Sequence, residues 1–227
     1  MSVRRLHALR GVAALCLVVS VGPALLRARG ADEYLQWTAK QAEAIGTRAY
    51  QRGRVGGRFD TRFLKTERSY NYKLAATWLS GEAIQSTARL LQLRGRLSDA
   101  EARALVAEAQ AVTGTVVMIE IDPREGSGVI PGDWTALLQP QGRPEQAVRG
   151  TPAPELRDVK ALAGVLRRNY DYDRFWMVFP LKWADGTPLF GGTDRVVELI
   201  VRIADKEGRV EWAVPASMAL ESRISNP

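Results

Sequence analysis

Across 227 residues the chain has one histidine and one cysteine, and both, His7 and Cys16, fall within the first thirty positions. Beyond residue 30 there is no imidazole and no thiol. That excludes a Ser-His-Asp triad, a Cys-His dyad, and zinc or haem ligation through those side chains from the rest of the chain. A disulfide is excluded with them, so the remainder must fold on an ordinary apolar core. Ser-x-x-Lys is missing as well. Ser127 sits between Gly126 and Gly128, but Glu125 stands where a nucleophile elbow requires glycine. No Gly-Lys-Ser/Thr follows those glycines to make a phosphate loop. They read as a backbone turn, and no cofactor is implied.

The first thirty residues have the three parts of a secretory leader. Arg4, Arg5 and Arg10 open it, an apolar run follows from Gly11 to Leu26, and Ala28-Arg29-Gly30 places small residues at a cleavage site. The sixteen residues of the run fall short of the roughly 20 that a spanning helix needs. Arg27 and Arg29 directly after the run disfavour simple export, so an inner-membrane anchor through residues 11–26 is the second reading. Either way the expected location is extracytoplasmic, periplasmic or secreted, with the anchor as an option.

The leader also distorts the charge. The whole chain has 32 basic and 25 acidic residues, a net +7. Five of the arginines and none of the acids lie in residues 1–30, which leaves 27 against 25 beyond it. The case for nucleic-acid binding loses its main support. One local excess survives, including Arg48, Arg52, Arg54 and Arg58. Beside an anchored leader it would lie near anionic headgroups, and otherwise it is a solvated helix end.

The pattern along the chain predicts an α+β fold. It consists of an antiparallel, sandwich-like β domain with an inserted helical hairpin and an N-terminal helix after the leader. Residues 1–30 are read as the signal or anchor, 31–58 as a membrane-proximal helix and glycine-rich hinge, 59–221 as the globular domain and 222–227 as a tail. Asp32 is placed at the N-cap of a helix running to Arg52, and Gly53, Gly56 and Gly57 break it. Tyr70 to Leu79 alternates as a strand. Ser80 opens one helix, and Ser98 with Glu101 forms a capping box that opens another. Thr115–Ile121, Asp133–Gln139 and Arg174–Leu181 read as strands, with 122–132 a loop, 140–154 an exposed excursion and 155–169 a helix. Arg195–Ile203 and Arg209–Val214 form a hairpin around a turn at 205–208.

Carboxylates are the catalytic equipment left. Glu120 and Asp122 are two apart, as are Asp171 and Asp173, and each pair would share one face of a strand. Tyr170, Tyr172, Phe175 and Trp176 nearby would supply a stacking platform, which gives a glycan hydrolase reading. The competing reading makes these residues ordinary strand edges and turns. Trp78, Trp134, Trp176, Trp183 and Trp212 are expected mostly in the core. Trp183 is the exception: with Leu189 and Phe190 in the loop 182–192, and Arg124 in the loop 122–132, it is the candidate contact surface for a partner.

Residues Thr66 to Leu74, Ala76 to Leu79 and Ile119 to Gly128 resemble a group of bacterial envelope proteins with no assigned activity. Those share a signal sequence, a helical insert and a terminal strand hairpin ending in Glu-Trp, here Glu211-Trp212. The resemblance spans most of 60–215, implies export, and transfers no functional residue. The expected function is a non-enzymatic binding or assembly module for an envelope protein or surface component, with the glycan hydrolase as alternative.

Overall fold

Alternation along the strands decides how the layers form. In the computed structural model, which describes residues 32–55, 71–124, 132–165, 173–183, 185–191, 194–203 and 206–214, eight strands make two antiparallel sheets. The first sheet holds β1 (Asn71–Trp78), β2 (Thr115–Arg124), β5 (Thr151–Pro152) and β6 (Asp173–Phe179) in the order β1-β2-β6-β5. The second holds β3 (Thr135–Pro140), β4 (Val148–Arg149), β7 (Val196–Ile203) and β8 (Lys206–Ala213) in the order β4-β3-β7-β8.

In β2 the odd positions Val117, Ile119 and Ile121 meet Leu138, Val197, Leu199 and Val201 of the second sheet in one apolar cluster. The even positions Val116 and Met118 point the other way, into a second cluster with Ile84, Ala88, Ala102 and Val106 of the helices. The first sheet is therefore buried on both faces. This places a helical layer on one side of it and the second sheet on the other. The α+β sandwich with an inserted helical hairpin is as the sequence indicates.

The helices are α1 (Ala39–Arg52), α2 (Gly81–Gly95) and α3 (Asp99–Gln110). Ser98 caps α3 as predicted: its side chain accepts from the Glu101 amide at 3.3 Å, and Glu101 accepts from the Ser98 amide at 2.7 Å. The start of α1 differs from the prediction. Residues Glu33–Gln36 form a separate 3-10 turn, and Thr38 is the N-cap, with Gln41 completing its capping box.

Over its described part, residues 53–55, the predicted hinge pairs with the domain. From Tyr34 onward the described residues belong to one compact unit. Helix α1 buries Ala42 and Gly46, the first beside Leu90 of α2. The Gly53 carbonyl accepts from the Ala76 amide at 2.8 Å, and the Val55 amide donates to Leu74 O at 3.1 Å. A Cβ on Gly53 would lie 1.4 Å from Ala76 O, so glycine is needed here for close backbone approach. Gly56, Gly57 and Arg58 lie outside the described residues.

Four further expectations are corrected. Residues Asp122–Arg124 continue β2 and pair with β1 instead of opening a loop. The stretch 155–169 is not a helix over its described part. It makes 3-10 turns at Pro154–Asp158 and Lys160–Leu162, separated by Val159 in an extended conformation, and Gly164 at φ +73° follows. Of the stretch 140–154, residues 141–147 are exposed or half-buried as an excursion would be, but β4 and β5 are one passing segment that leaves the second sheet and enters the first at Gly150. The Gly150 amide donates to Ala136 O at 2.9 Å, and a Cβ there would meet the Phe179 ring at 2.7 Å. The terminal hairpin is present, but Ile203 pairs with Lys206, so 206–208 belong to β8 and not to the turn.

Candidate functional site

Glu120 lies on the helix-facing side of β2, directly across from Arg174 on β6. Its carboxylate is 2% exposed, and the Arg174 Nε–H donates to Oε1 at 3.1 Å. Burial pushes the Glu120 carboxyl above its ordinary range, and the guanidinium charge and hydrogen bond pull it partly back. The space beside it, lined by Thr77, Tyr50, Gly46 and Gly164, measures about 20 Å³. That is room for one water molecule and no substrate. Thr77 Oγ1 lines the same space, buried and without a hydrogen-bond partner among the described residues.

Asp173 pairs with Ile121, whose side chain is in the inter-sheet core. Directly opposed residues share a sheet face, so Asp173 and Glu120 belong to opposite faces of the first sheet. Glycoside hydrolysis needs two carboxylates converging on one bond, and these two diverge. Asp171 lies outside the described residues, as does Tyr170. For Asp122 and Arg124 the backbone alone is described.

The aromatic loop turns inward. Leu189 is 1% and Phe190 4% exposed, both in the inter-sheet core, with the Phe190 ring 6.3 Å from that of Trp78. A small turn drives this: the Trp183 amide donates to Thr187 O at 2.8 Å and the Leu189 amide to Leu181 O at 2.7 Å. Trp183 is half-buried and packs against the same core. The predicted contact surface of Trp183, Leu189 and Phe190 is thus mainly an internal one. Arg48, Arg52 and Arg54 are exposed.

A site the sequence reading did not identify lies on the outer face of the second sheet. Residues alternating with the core positions of β3, β7 and β8 line a groove of about 460 Å³, within the range of small-ligand sites. Leu137 and Ile200 give it an apolar floor, and Gly142, Pro144 and Ala147 a wall. Glu198, 6% exposed, is satisfied on both oxygens: the Gln139 Nε2 amide donates to Oε2 at 2.9 Å and Arg209 Nη1 to Oε1 at 2.9 Å. Arg209 Nε also donates to Glu207 at 2.6 Å, and Arg202 Nε to the other Glu207 oxygen at 2.8 Å. Hydrogen bonds from both arginines hold the Glu207 carboxyl below its ordinary range, and the two glutamates raise Arg209 further. The result is a fixed, charge-balanced polar network over that apolar floor, with exposed guanidinium groups at the rim.

Among the described residues no group of three acidic, histidine or cysteine side chains is placed to hold a metal ion. No helix among them is long and apolar enough to cross a membrane; residues 11–26 are outside that set. Neither a family model, nor a curated protein, nor a solved structure matches this chain.

Proposed function

We propose that this protein is a non-enzymatic binding or assembly module of the bacterial cell envelope. In this reading it acts on the extracytoplasmic side and engages a protein or surface component through the groove on the second sheet. The observation that carries the reading is the polar network Gln139–Glu198–Arg209–Glu207–Arg202, laid across three strands above two apolar residues. A buried carboxylate bonded on both oxygens is held in place, and it fixes the Arg209 guanidinium at the rim of the groove. The leader supports the compartment, and the exposed Arg48 and Arg52 on α1 suit a position close to anionic headgroups.

The test is crosslinking of the tagged full-length chain in cells, followed by purification and N-terminal sequencing. One envelope component recovered in stoichiometric amount, and lost in Arg202→Glu, supports the reading. Recovery of the wild-type chain alone under the same crosslinking would sink it. The alternative, a carboxylate-dependent glycan hydrolase, draws on one observation, the elevated carboxyl of Glu120. It requires Glu120→Gln to abolish turnover of a polysaccharide while leaving the fold intact.

A further inference from the structure

Sheet edges are pairing templates, and three of the four described here are closed or short. The free side of β1 is capped by residues 53–55, and β4 and β5 are two residues long and joined at Gly150. The fourth, β8, runs for eight residues, and among the described residues nothing pairs with its outer side. Long edges left like this invite another strand.

The hydrogen-bond phase of β8 is fixed by its end. The Val214 amide donates to Arg195 O at 3.0 Å, so by alternation 206, 208, 210 and 212 bond inward to β7. The amides and carbonyls of 207, 209, 211 and 213 then face outward, and the side chains of all four residues are exposed. Glu207, Arg209 and Glu211 alternate in sign along this edge.

We infer that β8 is a self-pairing edge through which two copies of this chain join antiparallel about a twofold axis at Val210, making one continuous eight-stranded sheet. Charge selects the register. With Val210 opposite its symmetry mate, Arg209 faces Glu211 of the second copy and Glu211 faces its Arg209, giving two opposed ion pairs. Centring on Arg209 sets Arg209 against itself and Glu207 against Glu211. Centring on Gly208 sets Arg209 against Glu207, whose two oxygens already accept from Arg202 and Arg209 of the same copy. Only the Val210 register sets Arg209 against a glutamate that keeps an oxygen without a hydrogen bond among the described residues. Arg209 uses Nε and Nη1, and Glu211 uses Oε1 to accept from Gln141, so Nη2 and Oε2 are the atoms left to meet across the axis.

Sedimentation equilibrium of the full chain in a density-matched detergent tests this, with Glu211→Arg, Arg209→Glu and Glu211→Pro. Wild type should show a monomer–dimer equilibrium, and Glu211→Arg should weaken it roughly tenfold or more. Mixing Glu211→Arg with Arg209→Glu should restore a heterodimer, since each arginine then meets a glutamate. Arg209→Glu also cuts into the groove network, so Glu211→Pro is the independent probe. It removes an outward amide that β7 does not use, and should abolish pairing while leaving the circular-dichroism spectrum unchanged. A monomeric wild type at submillimolar concentration overturns the inference. So does a dimer that Glu211→Arg and Glu211→Pro leave intact, which would point to association through residues 1–30.

Discussion

Glu120 and Arg174 face each other across β2 and β6 with 3.1 Å between Oε1 and Nε, yet only the carboxylate is fully withdrawn from water. The arginine keeps 29% of its side-chain surface exposed, so the glutamate bears most of the desolvation and its carboxyl is shifted upward. A group that binds its proton more tightly when folded stabilises the fold below its unfolded pKa, and that contribution is lost as pH rises through the elevated folded value. Glu120→Gln removes this loss. From about pH 4.5 upward the variant's melting temperature should therefore gain on that of wild type, read by thermal scans in matched buffers. A constant offset across the pH range would show that Glu120 does not titrate in this window.

Gly53→Ala should be severe, because its methyl would overlap Ala76 O and the pairing of 53–55 with β1 cannot persist. The expected cost is about 3 kcal/mol, at the upper end for overpacking, measured by urea denaturation. A flexible hinge at this position would instead accept alanine at no cost.

Phe190→Ala should cost about 3–5 kcal/mol as a buried aromatic truncation. Trp183→Ala, at the half-buried end of the same turn, should cost clearly less. Equal losses in chemical denaturation would mean that Trp183 is as deeply engaged as Phe190.

Ser98→Ala should lower stability by about 1 kcal/mol, the usual value of an N-cap side chain. Ser80→Ala should change little, because Ser80 occupies the N-cap of α2 without a side-chain hydrogen bond. Comparing the two variants by denaturation separates a formed cap from a residue that only occupies the position.

What the sequence made legible was local. The Ser98 capping box links two residues three positions apart, and the β7–β8 hairpin announces itself in two apolar runs either side of a polar turn. The groove was not legible because it is assembled from afar: Gln139 and Glu198 are 59 positions apart. A signal was nevertheless present. Glu198 interrupts the run Val-Val-Glu-Leu-Ile-Val, and a charge inside a strand that apolar calls for a partner on a neighbouring strand. Leu189 and Phe190 misled for a related reason. Turn residues surround them, and only the tertiary contact with Trp78 shows that the loop folds back.

The segment that changes sheets at Gly150 has a consequence for how the molecule comes apart. Gly150 is hydrogen-bonded into one sheet through Ala136 O, and the next residue, Thr151, is paired into the other, with no slack between them. Fraying of the second sheet that pulls out Val148 also pulls on Thr151, and Phe179 loses the neighbour that fills its ring face. The two sheets are therefore coupled as a single cooperative unit, and their slowest-exchanging amides should share one opening free energy.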